Sequence, residues 1–236
     1  MRAITHIHTR HSWDSRLRVP VLLRVLRANA VDLAMITDHD SFAGSLEARS
    51  IVGRQGLPLI VPVAAEIRTD LGDVIVVFPS EEVPPVSDLK TWRSLRVLAR
   101  EYGAMVWLPH PYRSHKEIEE LAAGADVIEV FNSRCNREEN REAIELCARH
   151  GKAVAFGSDA HLKREARWFV DYPDGPDPLV VLRADATCPV PVPTRTSDVA
   201  VAEAIYGWKR RRPRVVGYQA RRFVKHKALE LAGRSG

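Results

Sequence analysis

The chain has 236 residues, long for one small core and short for two comfortable domains, so a single α/β body is expected. Its 45% apolar content excludes a disordered chain, and no run approaches the ~18 uninterrupted apolar residues of a membrane span. The net charge of +5 is uneven: residues 207–236 hold ten Lys/Arg and one acid, which leaves 25 basic against 29 acidic side chains in residues 1–206.

A strand over 3–8 opens the chain and runs into a polar loop, HTRHSWDS, that contains Asp14. A helix over 20–30, with Pro20 near its first turn, precedes an apolar strand over 32–37 that ends at Asp38-His39. Next come a helix over 41–54 and a strand over 58–65 ending at Glu66. A short turn around Gly72 joins that strand to 73–78, a local hairpin in an otherwise alternating order. A helix over 87–102, a strand over 104–109 ending at His110, and a helix over 114–123 follow. The strand over 126–131 delivers Asn132, and a helix over 137–150 is closed by Gly151. The strand over 153–156 leads into GSDAH, with Asp159 and His161.

Segment 171–193 contains six prolines and is expected to wrap the surface, with a last strand over 178–184. Asp198 is expected to cap a final helix over 199–208. Several strands, such as LPLIVPVAA and GAMVWLP, are nearly all apolar, as buried parallel strands tend to be. The whole reads as a βα-repeat domain over 1–206 and a basic C-terminal extension over 207–236 that packs on it or trails from it.

The chemistry collects at the strand ends. His6 and His8 stand two apart in a strand, so a period of two puts both on one face, able to share a cation. Glu66 closes an apolar run, where a carboxylate is costly unless paired or metal-bound. In β/α barrels the C-terminal strand ends converge on one site. Imidazole and carboxylate donors without thiolate suit Zn, Mn or Fe. Three cysteines, at 135, 147 and 188, form no CxxC pair, and MRAITHIHT lacks the apolar run of a secretory signal, so a cytoplasmic setting is expected.

The ordered motifs HxH, TDH, Glu66, HPYR, EVFNSR and GSDAH, spanning residues 4 to 161, resemble the PHP (polymerase and histidinol phosphatase) family. The resemblance implies a distorted, TIM-like (β/α)7 barrel carrying two or three divalent ions. By motif, His6 and His8 would hold a first ion with Glu66 and Asp159, and Glu66 would bridge to a second held by His110. Asp14, His39 and His161 would hold a third. Many family members have His where this chain has Asn132, so Asn132 is expected to touch substrate or leave the second ion partly solvated.

The implied activity is hydrolysis of a phosphomonoester or nucleotide by a metal-activated hydroxide. Asp159 would orient that hydroxide, and His39 or His161 would protonate the leaving oxygen where a third ion is absent. Arg113 and Arg134 follow His110 and Asn132 closely and are expected to grip phosphate oxygens. His11 is expected in substrate or supporting contact, and His115, His150 and His226 on the surface.

The segment RRRPRVVGYQARRFVKHKAL interleaves aromatics with positive charge, which suits nucleic acid. An exonuclease is therefore one alternative. A weakly active nucleic-acid-binding module and a metal-dependent amidohydrolase are others.

Overall fold

The structure, a computed structural model, describes residues 1–232. The end of the basic extension, Arg234 included, lies outside the described residues. A three-stranded sheet has the order β2-β1-β8, formed by β1 (Arg2–Ile7), β2 (Leu33–Ile36) and β8 (Val170–Asp171). A five-stranded sheet runs β3 (Val63–Arg68), β4 (Asp73–Phe78), β5 (Met105–Leu108), β6 (Val127–Asn132) and β7 (Ala153–Gly157). The β1–β2, β5–β6 and β6–β7 pairs are parallel, while β3–β4 and β4–β5 are antiparallel. The hairpin around Gly72 is thus present, with Gly72 at φ 139°, a conformation that favours glycine.

Backbone hydrogen bonds join the two sheets along both flanks of the smaller one. On the β2 side, Ala34 N donates to Ile60 O, Asp40 N to Glu66 O, and Glu66 N to Asp38 O. On the β1 side, Ser158 N donates to Thr5 O and His8 N to Ala160 O.

Helices pack outside the strands: α1 (Val19–Ala28), α2 (Ala43–Gln55), α3 (Trp92–Glu101), α4 (Ile118–Gly124) and α5 (Arg137–His150). Local chemistry explains their ends. Thr91 caps α3. Asn136 and Glu139 form a capping box on α5, whose last turn stops at Gly151 in the left-handed region. The helix expected over 87–102 divides into a 3₁₀ turn (Val86–Leu89) and α3.

The C-terminal third departs most from expectation. Residues expected as a strand over 178–184 form the short helix α6 (Pro178–Leu182). Asp177 caps it and Pro178 presets its first turn, which overrides the β-like apolar run. Segment 171–193 does not simply wrap the surface, because Tyr172, Leu179, Val181 and Leu182 enter the core beside Trp107 and Val127. Helix α7 (Thr196–Lys209) begins after Arg195, so Asp198 lies inside its first turn and pairs with Arg164 instead of capping. Position 206, the expected end of the body, falls within α7. Helix α8 (Pro213–Ala232) folds back along α7. No helix among the described residues is long and apolar enough to cross a membrane.

One close approach sets the loop after β1. Asp38 is buried and accepts from Thr9 N, Thr9 Oγ1 and Ser12 N. Burial pushes its carboxyl up despite these bonds. A Cβ at Gly44, on α2, would collide with that carboxylate. Gly44→Ala should therefore lower stability by about 1–3 kcal/mol, as overpacking does. Thermal unfolding followed by circular dichroism would show it as a lowered Tm.

Candidate metal centre

The eight residues marked as ligands come together. Three groups place one donor atom per residue within 4.8 Å of one another: His8, Asp14, His39 and His161; His6, Glu66 and His110; His6, His8 and Asp159. His6 and His8 therefore each belong to two groups, a sharper overlap than the family resemblance implies.

Strand geometry aims these side chains. The β1 register shifts between Ile4 and Ile7, and His6 sits at φ 58°. His6 and His8 thus converge through a bulge, not through plain alternation, with ring centroids 5.1 Å apart. His110 (φ 29°) and Asp159 (φ 44°) also adopt left-handed backbone just past β5 and β7. Such strain persists where the surroundings over-determine it, and here it coincides with the cluster.

Glu66 lies among four imidazoles. Its Oε2 is 3.4 Å from His6 Nε2, 3.3 Å from His8 Nε2 and 3.1 Å from His39 Nδ1, and its Oε1 is 2.9 Å from His110 Nε2. Asp159 Oδ1 lies 3.4 Å from His8 Nε2 and 3.8 Å from His6 Nε2. Asp14 Oδ2 accepts from His39 Nε2 at 3.1 Å and His161 Nε2 at 2.8 Å.

Protonation equilibria reflect this crowding. Burial opposes charge on Glu66, Asp159 and Asp14, but the neighbouring imidazoles outweigh it and hold all three well below the usual carboxylate range. Burial likewise opposes a proton on His39, yet Glu66 and Asp14 push it up to about 9. His8 goes the other way, to about 3, through burial and the nearby His161 and His39. A divalent cation would substitute for protons in such a cluster.

The donors fit a cation on a second ground. His8 Nε2, Asp14 Oδ1, His39 Nδ1 and His110 Nδ1 are buried without a hydrogen-bond partner. With imidazole nitrogen and carboxylate oxygen as the only donors, the set suits Zn, Mn or Fe.

Several supporting residues were not visible in the sequence reading. Glu129, fully buried on β6, accepts from His6 Nδ1 (2.8 Å), Trp107 Nε1 (3.2 Å), His110 N (3.1 Å) and Asn132 Nδ2 (3.0 Å). Its signal was an acid alone in the apolar run VIEV. A Cβ at Gly157 would strike this carboxylate, so the glycine of GSDAH makes room for it. Trp13 stacks on His39, with centroids 4.4 Å apart and planes 4° from parallel. Ser12 Oγ accepts from His39 N at 2.8 Å and lies 3.1 Å from His8 Nδ1. Ser15 Oγ hydrogen-bonds to His8 O and His161 O.

The expected substrate residues divide. Arg113 donates to Asp159 Oδ2 at 3.1 Å, and its side chain remains 37% exposed, open to an incoming anion. Arg134 is only 5% exposed, and its fork is spent on Glu165 and on Asp159 O. It therefore braces the Asp159 loop and does not face outward to phosphate. Asn132 is bound to Glu129 and to Arg134 N, and His11 to Glu47 at 2.6 Å.

His115, expected on the surface, packs over Gly72 and beside His110, where burial and that neighbour push it down to about 4. Burial pushes the Cys135 thiol up, which disfavours a thiolate donor.

No family model matches the chain. Two uncharacterized proteins of Methanocaldococcus jannaschii are similar in sequence. MJ0417 is 39% identical over 107 residues, 41% of this chain, and MJ1587 is 27% identical over 147 residues, 56% of this chain and 82% of its own length. The match spans 44% of the length of MJ0417.

Among solved structures, one similar chain is a two-domain protein from Bacteroides vulgatus containing a predicted PHP-like metal-dependent phosphoesterase. It has TM-score 0.57 and 19% identity, over 71% of this chain and 54% of that one. Another is an amidohydrolase from Chromobacterium violaceum, with TM-score 0.59 and 18% identity, over 72% and 92%. A third is PsfC from Pseudomonas syringae, with TM-score 0.60 and 13% identity, over 97% and 98%. At these identities the likeness is one of fold.

Because Glu129 uses all its acceptor positions, Glu129→Gln would set an amide N–H against a donor. That change should keep the fold but weaken divalent-ion binding on the order of tenfold to a hundredfold, as loss of an outer carboxylate partner of a ligating His does. Competition with a calibrated chelator measures it.

Proposed function

We propose that this chain is a metal-dependent phosphoester hydrolase acting on a small phosphomonoester or nucleotide. The observation that carries the reading is the gathering of eight His, Asp and Glu side chains, from within or just past five strands and from one loop, into three overlapping groups. The fold likeness to a PHP-like domain and the linked flanks of the two sheets support treating them as arcs of one distorted (β/α)7 barrel.

In this reading His6, His8, Glu66 and Asp159 hold one ion, Glu66 and His110 a second, and Asp14, His39 and His161 a third. Bound divalent ions would supply a water of lowered pKa and screen charge at phosphorus. The chain's own groups do the rest. Asp159, held by Arg113 and by the Arg134–Glu165 pair, would orient the attacking water. Arg113 would take a phosphoryl oxygen as charge develops on it. His39 or His161 can protonate the leaving oxygen where the group they form with His8 and the partly exposed Asp14, the outer group, holds no ion. The burial of Glu66 and Asp159 keeps bulk water from competing for these contacts.

The test is a panel of phosphomonoesters, mononucleotides, oligonucleotides and N-acyl amides, on protein loaded with Mn, Zn or Fe. Phosphoester turnover should vanish with chelator and return with the metal. Glu66→Gln should lose more metal than His39→Ala, because in this reading Glu66 serves two ions and His39 one. Amide hydrolysis without phosphoester hydrolysis would move the chain to the amidohydrolase reading.

A second reading, contact with nucleic acid, is favoured by one observation. Arg214, Tyr218, Arg221 and Lys225 recur at helical spacing on α8 and are all exposed. Replacing Arg214, Arg221 and Lys225 with Gln should weaken oligonucleotide binding and flatten its salt dependence by up to about three ions. Mononucleotide hydrolysis should stay unchanged. Fluorescence anisotropy across a salt series reads both quantities, and an unchanged slope would remove α8 from nucleic-acid binding.

A further inference from the structure

The loop between β1 and α1 is short of regular structure yet carries Asp14 and Trp13. Asp38 holds its first residues, and a second hold comes from almost two hundred positions away. Lys209, the last residue of α7, donates from Nζ to three carbonyls of this loop: Arg10 O (3.1 Å), Ser12 O (2.6 Å) and Ser15 O (2.7 Å). An ammonium has three N–H donors, so these bonds use its full capacity.

The next residue, Arg210, sits over the Trp13 ring at 5.2 Å, on a tryptophan that stacks on His39. Two of the three bonded carbonyls belong to residues whose side chains already orient that outer group of ligands. Ser12 touches His8 and His39, and Ser15 touches the backbone of His8 and His161. Asp14 lies between them in sequence, with its carboxylate on His39 and His161.

We propose that Lys209 is a positioning residue for the group His8, Asp14, His39 and His161, fixing Asp14 through the carbonyls of the loop and so tuning cation affinity at that group alone. The proposal rests on the metal-site reading above. It assigns the start of the basic extension a role inside the site, separate from the outward stripe on α8. Lysine suits the position because three carbonyls converge on one point, whereas the planar fork of arginine spreads its donors.

The experiment is a divalent-ion titration, Mn²⁺ against a competing chelator, on wild type, Lys209→Met, Asp14→Asn and the double variant. Lys209→Met should weaken the outermost ion on the order of tenfold to a hundredfold and leave the tighter ions unchanged, as loss of an outer contact to a ligand does. The double variant should be no weaker than Asp14→Asn alone, since both act through one carboxylate. Wild-type affinities in Lys209→Met, or penalties that multiply in the double variant, would overturn the proposal while leaving the metal site standing. A wild-type protein that takes up no ion would overturn both.

If Lys209→Met loses its circular dichroism signal, Lys209→Arg serves instead, since it keeps the charge and the packing of α7. It should show an intermediate loss confined to the same ion, and an unchanged affinity there would overturn the proposal.

Discussion

Glu66 is the residue on which the rest of the architecture turns. Its backbone joins the two sheets, accepting from Asp40 N and donating to Asp38 O. Its carboxylate, with no solvent exposure, faces His6, His8, His39 and His110. A buried carboxylate costs several kcal/mol unless its charge is matched, by order-of-magnitude reasoning. The fold adds the buried Asp159 and the half-buried Asp14 around the same imidazoles. Such a site can be stable only if positive charge enters it, as protons on imidazole or as cations.

The same demand accounts for the second layer. An imidazole that turns one nitrogen inward has its other nitrogen free to be fixed elsewhere, and three of the cluster's histidines are held so. Glu129 does this for His6 at Nδ1, the Asp159 carbonyl for His161 at Nδ1, and Ser12 for His8 at Nδ1. These partners select the tautomer and lock the ring, leaving Nε2 of each toward the cluster. Gly157 and Gly44 follow as consequences, since a side chain at either would displace a carboxylate of this layer.

Glu66 and His110 were legible in the sequence because each ends an apolar run, where an ionisable group has few structural excuses, and His6, His8, Asp14, His39, Asp159 and His161 through the order of motifs around them. The second layer was not. Glu129 contacts His6 across 123 positions, and Lys209 meets Ser12 across 197. No local pattern encodes such pairings. Arg134 reads like Arg113 in sequence, both a few residues past a strand end, and only the proximity of Glu165 separates a bracing arginine from an exposed one. Most elements from β1 to β7 were legible because apolar strand runs alternate with helical patterns along the chain. Segment 178–182 was not, because four apolar residues fit a strand as well as a helix, and Asp177 with Pro178 decides the matter locally.

The basic extension shows how a charge count can merge separate roles. By composition it is one positive block, and a block of charge suggests a polyanion. In the structure its first two cations, Lys209 and Arg210, point inward to the loop bearing Asp14 and Trp13. Arg212 packs on Tyr206 of the same hairpin, while Arg214, Arg221 and Lys225 face out from α8. Charge that is spent on backbone carbonyls or an aromatic face is no longer available to phosphates. In the nucleic-acid proposal, contact with phosphates would fall to the α8 stripe, whereas Lys209 and Arg210 are tied to the loop that carries Asp14.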